Sequence, residues 1–338
     1  MPQPPALKAS LKRGACLAAA NWPLIAVQFI AEGTLKLLLA VPVVGGIFLV
    51  VLVLGADVDE IMAGDVKEIL TSVVGALRAN PAALAAFAAA FLVVLLGGSI
   101  LTFIVKAGTV TILAAAESQA GPIERPPLRL AALRRANFTN IDPFLAGCRA
   151  FGRRYVKLGM CLLVAYTITA IGYLACLVGG YAMVGRSGVL GWTVAAALAS
   201  STLVVWITLI NFFYLLTQMA IAMEDLGVRE AIARVTDFSR ASIREIAGIF
   251  GVVLLLVGIA TVASILATAG LGLIAFVPFV GLAIVPLQVA AWLLRGIVFE
   301  FLALSALGAY LTQYRYYLHS HATVRVQDTA SDVGPGIA

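Results

Sequence analysis

Six long stretches of the chain are almost purely apolar, and the polar residues are collected between them. The run from Leu158 to Gly185, for example, contains no charged residue. An apolar run of about 20 residues is long enough to cross the hydrocarbon core of a bilayer as an α-helix. We therefore predict six spans, which run from Pro23 to Pro42, Ala83 to Val105, Leu158 to Met183, Trp192 to Phe213, Ile246 to Leu266 and Leu287 to Leu307.

The type of membrane architecture follows from the continuity of these runs. A membrane β-barrel alternates apolar and polar residues over strands of about 10 positions, whereas these runs are uninterrupted and rich in Ala, Leu and Gly. Hydrophobic residues make up 62% of the chain and charged residues only 12%, against about 25% charged residues in soluble domains. Because backbone polar groups in lipid must be paired within their own segment, we predict an all-α, polytopic transmembrane helical bundle.

Lysine and arginine are distributed unevenly among the segments that flank the predicted spans. Seventeen lie in the N-terminal segment, the second and fourth connections and the C-terminal tail, and three lie in the alternate connections. Since cytoplasmic loops are enriched in these residues, both termini are predicted to be cytoplasmic. We expect one integral membrane domain from residue 1 to 313 and a largely disordered cytoplasmic tail from 314 to 338. This distribution also explains the net charge of +6 without a nucleic-acid partner.

Three basic, amphipathic segments precede the first, third and fifth spans, namely Ala6 to Ala20, Pro143 to Lys157 and Val228 to Glu245. In the third segment, Val228, Ile232, Val235 and Phe238 share one helical face. Such a helix lies at the membrane interface or packs on neighbouring helices. The pattern predicts three tandem helical hairpins, each with an amphipathic helix on the cytoplasmic side. An acidic segment between the first two spans, residues 57–80, has an apolar stripe at helical period and predicts a short surface helix.

The segment Ala220 to Arg234 has the sequence AIAMEDLGVREAIAR, in which a Glu-Asp-x-Gly motif is followed by an amphipathic helix and a span. It resembles a pattern in uncharacterised bacterial multi-pass inner-membrane proteins, which are similar to the membrane domain of glycerophosphodiester phosphodiesterases. In those fused proteins, catalysis belongs to a separate soluble barrel. The resemblance implies a location in the bacterial inner membrane and an accessory role, and it supplies no catalytic residues.

Motifs that carry catalytic or metal chemistry are few. Gly185-Arg186-Ser187-Gly188 contains the Gly-x-Ser-Gly of rhomboid proteases, but that chemistry needs a histidine base on another span. The two histidines, His319 and His321, lie in the predicted tail, without nearby cysteine or carboxylate partners for a metal. The four cysteines show no metal-ligand spacing. We expect a protein that is not an enzyme and has no metal and no cofactor.

Four charged residues fall within apolar sequence: Glu32 and Lys36 in the first span, and Arg295 and Glu300 in the sixth. Charges at membrane depth are costly and mark functional sites or pairs. Glu32 and Lys36 have the spacing of an intrahelical pair. We predict that Arg295 is buried and pairs with Glu32, or through water with the side of the sixth span that carries Glu300. Alternatively, the first span begins at Leu37, and the first two charges lie at the inner interface. Lys106, at the inner end of the second span, is expected to reach the headgroups.

Two classes of function agree with these features. The first is a non-catalytic membrane accessory protein, which acts as a scaffold, a complex-assembly partner or a lipid-binding module. The second is a transporter of a small solute or a lipid, with a midplane site built from the buried charges. Membrane lipids are expected partners in both, together with a protein partner or a second copy of the chain. A continuous polar cavity between the first and sixth spans would favour transport, and a closed bundle with an exposed apolar groove would favour the accessory role.

Overall fold

The computed structural model of the protein describes residues 5–54, 81–125, 130–183, 188–275 and 280–332. These residues form nine α-helices and no strand. In chain order the helices are α1 (Leu7–Ala20), α2 (Trp22–Leu54), α3 (Pro81–Gln119), α4 (Leu130–Arg135), α5 (Ile141–Met183), α6 (Val189–Glu224), α7 (Val228–Ala241), α8 (Ile243–Ala275) and α9 (Val280–Asp332).

Six helices, α2, α3, α5, α6, α8 and α9, are long and apolar enough to cross a membrane. The prediction of an all-α bundle with six spans is confirmed. The chain is a multi-pass membrane protein. The six helices are longer than the predicted spans, because the residues that flank each span continue the helix, as the apolar residues 43–54 do in α2. Pro42 and Pro286 lie inside α2 and α9.

The long helices form three consecutive hairpins. Helices α3 and α9 also pack against helices outside their own hairpin. Helices α2 and α3, α5 and α6, and α8 and α9 pack against each other in pairs. Helix α3 also packs on α5 and α6, and α9 also packs on α1 and α2. The crossing of α1 and α9 is very close, since a Cβ atom at Gly14 would lie 2.6 Å from the backbone nitrogen of Ala309. Glycine at this position permits the two backbones to touch.

One end of the bundle, which we call the packed end, is formed by α1, α4, α7 and the parts of the long helices that contact them. The large side chains that are fully buried there include Leu17, Leu113, Tyr155, Leu216, Met219, Ile221, Phe238, Ile246, Ile249 and Tyr314. Away from this end, α5, α6, α8 and α9 carry rows of exposed apolar side chains, such as Ile168, Leu198, Leu255 and Leu294. These rows are the surfaces that lipid covers in a membrane.

The three amphipathic segments are used in different ways. The first forms α1, whereas the second has no helix of its own and is the beginning of α5. The third forms α7, which buries Ala231, Val235 and Phe238 against the bundle. Ile232, expected on the same face, is 47% exposed. Helix α7 therefore packs on neighbouring helices. The rings of Phe238 and Tyr314 meet edge to face, with their centroids 4.9 Å apart.

The last helix continues well beyond residue 313, where we expected the membrane domain to end. Tyr314 is fully buried and Tyr317 nearly so, and both pack against Phe238 of α7. The first part of the expected tail thus belongs to the core of the packed end. The predicted surface helix in residues 57–80 and the turn containing Ser187 lie outside the described residues.

Candidate functional site

The charged residues of the first span lie at the centre of a polar cluster between α2, α3 and α9. A carboxylate oxygen of Glu32 lies 3.1 Å from the ammonium nitrogen of Lys106 on α3. The other oxygen lies 3.8 Å from the nitrogen of Lys36, one turn further along α2. The expectation that Lys106 reaches the headgroups stays a prediction. Its side chain is 23% exposed, and α3 continues beyond it to Gln119.

Glu300 of α9 completes the cluster from the opposite side. Its carboxyl group lies near that of Glu32, and the residue is 9% exposed. Both residues are candidates from the sequence, but their proximity follows only from the packing of α2 on α9.

A central cavity of about 540 Å³ opens beside this cluster and is surrounded by α2, α3, α5, α6 and α9. Every one of the five helices contributes to its wall. The polar side chains that line it are Gln28, Glu32, Lys36, Ser99, Thr102, Lys106, Tyr166, Asn211, Tyr214, Gln218 and Glu300. The remaining wall is apolar and includes Leu35, Leu39, Leu162, Leu163 and Ala303. The cavity thus combines a polar cluster with an apolar wall, as small-molecule and lipid sites do.

Two buried polar groups of this wall lie beside each other, the amide nitrogen of Gln218 and the hydroxyl group of Tyr214. Among the residues that the structure describes, neither has a further hydrogen-bond partner. Gln218 is only 4% exposed, and its backbone oxygen accepts a hydrogen bond of 2.7 Å from Tyr155. Because buried polar groups are almost always paired, the two side chains are placed to pair with each other.

A second space, which we call the lateral pocket, lies on the other side of the contact between α2 and α9. It has a volume of about 510 Å³ and is bounded by α2, α8 and α9. Its lining residues are Phe29, Glu32, Gly33, Lys36, Thr261, Trp292, Arg295, Gly296, Phe299 and Glu300. Glu32, Lys36, Phe299 and Glu300 line both spaces, so they separate the central cavity from the lateral pocket.

The prediction for Arg295 was wrong in two respects. Its side chain is exposed, not buried, and in the part of the chain that the structure describes no carboxylate lies within 4.0 Å of it. Its guanidinium carbon instead lies 5.7 Å from the centre of the Phe299 ring. The reason is that Lys106 already occupies the carboxylate of Glu32, which sequence alone does not reveal. The four predicted residues Glu32, Lys36, Arg295 and Glu300 nevertheless all line the lateral pocket.

Sequence analysis missed the polar residues of α6. Asn211, Tyr214 and Gln218 follow each other at intervals of three and four residues, which places them on one face of a helix. This face lines the central cavity, and Asn211 accepts a hydrogen bond of 2.6 Å from Tyr166 of α5. The signal for these residues in the sequence was a polar stripe on an otherwise apolar span. Such a stripe does not by itself show which helices it faces.

The Glu-Asp-x-Gly motif forms the connection between α6 and α7 and has a structural explanation. Glu224 accepts a hydrogen bond from Tyr314 and lies 3.2 Å from Arg234. Asp225 ends α6 with a left-handed backbone (φ of 55°) and pairs with Arg154 of α5. The backbone nitrogen of Gly227 donates to Glu230, which caps the start of α7. The motif therefore stabilises the packed end, and it lines neither the central cavity nor the lateral pocket.

A second ion-pair network is centred on Arg13 at the packed end. Its guanidinium group lies 2.7 Å from Glu117 and 2.9 Å from Glu124. Burial alone would lower the pKa of Arg13, but the hydrogen bonds and charges of the two carboxylates outweigh it and raise the pKa. The arginine is thus a permanent cation with both partners in place, which indicates a structural role in joining α1 to α3.

Comparison with protein-family models, with curated proteins and with solved structures gave no match. The resemblance to the membrane domain of glycerophosphodiester phosphodiesterases therefore stays a prediction. A proposal for the function of the protein therefore rests on the fold and on the geometry of the central cavity and the lateral pocket.

Proposed function

We propose that this protein is a non-catalytic membrane protein that binds a lipid or a similar amphiphile in the central cavity. The observation that carries the proposal is the central cavity itself, a space between five helices of the apolar bundle whose wall combines polar and apolar side chains. The head of an amphiphile would lie against the polar side chains, and its chain would lie against the apolar part of the wall.

The size and the chemistry of the cavity support this class of ligand. A volume of about 540 Å³ is in the range of sites for small organic molecules. The charged groups largely compensate each other, because two lysines, Lys36 and Lys106, and two glutamates, Glu32 and Glu300, line the cavity, and both lysines are near Glu32. A site of this kind favours a head that forms hydrogen bonds over a bare ion. Its surroundings favour a ligand that partitions into the membrane.

The proposal is tested with a variant that fills the cavity without changing its charges. Ala303→Phe places a ring in the wall of the central cavity, whereas Ala290→Phe on the same helix is exposed and lines neither space. Native mass spectrometry of the delipidated protein is expected to show one retained lipid in the wild type and in Ala290→Phe, and none in Ala303→Phe. Equal retention in all three proteins would overturn the proposal.

A second candidate function is transport, and one observation favours it. Glu32 and Glu300 line both the central cavity and the lateral pocket, so a separation of α2 from α9 would join the two spaces. In liposomes, the protein is then expected to speed the movement of a fluorescent lipid between leaflets, and Ala303→Phe is expected to slow it. A rate equal to that of protein-free liposomes would contradict transport.

The proposal includes a location in the bacterial inner membrane, with both termini and the packed end in the cytoplasm. The distribution of Lys and Arg supports this orientation, because Arg134, Arg135, Arg229, Arg234 and Arg240 all lie on α4 and α7. The resemblance noted above supports the choice of membrane. The role as a scaffold or assembly partner would use the surface of the packed end, and it would be recognised by a partner that copurifies in mild detergent.

A further inference from the structure

We infer that the lateral pocket is a second binding site, specific for an anionic phospholipid whose phosphate is held by Arg295 and Lys36. The inference concerns the face of the bundle that lipid covers, and it does not depend on a ligand in the central cavity. The occupant is identified by charge, by the walls of the pocket and by its surroundings.

The charges around the pocket do not balance. Glu32 has its closer contact with Lys106, at 3.1 Å, and only a longer one of 3.8 Å with Lys36. The side chain of Lys36 is 73% exposed, and Arg295 contacts an aromatic ring instead of a carboxylate. Two cations thus face the pocket with little compensation. A guanidinium group remains charged in proteins, and a charge beside apolar surface needs an anionic partner.

The carboxyl groups at the back of the pocket do not cancel this preference. Glu32 has Lys106 as its closer partner, so the two carboxyl groups, Glu32 and Glu300, are outnumbered by three cations, Lys36, Lys106 and Arg295. Lys36 and Arg295 are therefore the charged groups that a ligand would contact when it enters the lateral pocket from the side.

The walls and the surroundings of the pocket match a phospholipid more closely than free phosphate. Phe29, Trp292 and Phe299 supply aromatic surface beside the two cations, and tryptophan is enriched at the level of lipid headgroups. Exposed apolar side chains of α8 and α9, among them Val262, Leu294 and Ile297, flank it. A phosphate bound by the cations would leave the acyl chains along this apolar surface.

The test compares binding of phosphatidylglycerol, phosphatidylcholine and inorganic phosphate to the full-length protein in detergent, by native mass spectrometry and by the shift in Tm. Phosphatidylglycerol is expected to bind best, since phosphatidylcholine adds a positive charge and inorganic phosphate lacks the acyl chains. Arg295→Gln and Lys36→Gln are each expected to weaken binding by about fivefold, as a single basic residue near an anionic lipid surface does. Arg153→Gln, on an exposed part of α5 outside both spaces, is the matched control.

Several outcomes would overturn the inference. They are equal binding of the two lipids by the wild type, saturation by inorganic phosphate alone, and an equal loss in Arg153→Gln and Arg295→Gln. The wild-type comparison does not depend on the folding of any variant. Ala303→Phe, which fills the central cavity, is expected to leave phosphatidylglycerol binding unchanged, so failure of this inference is distinguishable from failure of the proposed function.

Discussion

The ammonium group of Lys106 on α3 lies 3.1 Å from the carboxylate of Glu32 on α2. Both side chains are about three-quarters buried, at a level where the surrounding helices are apolar. This pair joins the two helices of the first hairpin and leaves Arg295 without a carboxylate. It accounts both for the polar wall of the central cavity and for the positive charge of the lateral pocket.

Removal of Lys106 is therefore expected to be costly. Lys106→Met leaves Glu32 partly buried with only a distant, exposed lysine, and we expect a loss of about 2 kcal/mol in the free energy of unfolding. In the double variant Lys106→Met/Glu32→Gln, the loss is expected to be clearly smaller than the sum of the single losses. Thermal or denaturant unfolding in detergent measures this cycle. Lys36→Met, at an exposed pair, is the control and should cost less than about 0.5 kcal/mol.

The proximity of Glu300 to Glu32 predicts which substitutions are tolerated. In Glu300→Gln, the amide can donate a hydrogen bond to the Glu32 carboxylate, so stability should change by less than about 1 kcal/mol. Glu300→Leu can form no hydrogen bond there and should cost about 1–3 kcal/mol. Unfolding at a fixed pH compares the two variants, and equal stability of Glu300→Gln and Glu300→Leu would show that no such hydrogen bond exists.

The crossing of α1 and α9 predicts opposite effects for two glycines. Gly14→Ala forces a methyl group onto the backbone of Ala309, and we expect a loss of about 1–3 kcal/mol, as for an overpacked core. Gly172→Ala, in the middle of α5 with open space around it, should be neutral or stabilise the helix by up to about 1 kcal/mol. Melting temperatures in detergent test the pair, and a stabilising Gly14→Ala would contradict the close approach.

Orientation is tested by single cysteines in a variant without the four native ones. Ser118, exposed near the end of α3, is expected to be on the cytoplasmic side because the arginine-rich segments follow it. A cysteine at Ser118 should resist an impermeant maleimide in spheroplasts and react after permeabilisation, and a cysteine at Thr71 should react in both cases. The reverse pattern would invert the topology.

The sequence predicts the fold more fully than the site. Six spans follow from apolar runs alone, and Val235 and Phe238 were correctly placed on the buried face of α7, because helical period decides which residues share a face. The partner of Glu32 was missed, since apolar segments of similar composition give no signal for which helices become neighbours. For the same reason the polar face of α6, with Asn211 and Gln218, could be recognised as a stripe but not assigned to a cavity.

The expected boundary at residue 313 shows a second limit. Tyr314 and Tyr317 follow the last apolar run and look like the start of a polar tail, yet they are buried against Phe238 of α7. Hydropathy detects surface that faces lipid. It does not detect aromatic residues that pack between helices after the last apolar run.

The central claim is that the central cavity holds an amphiphile, and a cryo-electron microscopy map of the protein in lipid nanodiscs, with an antibody fragment as fiducial, tests it most directly. We predict an elongated density in the cavity, with its head within hydrogen-bonding distance of polar side chains of the wall such as Lys36 and Asn211. The density should be lost in Ala303→Phe. A wild-type cavity that is empty, or that holds only separate water peaks, would contradict the claim.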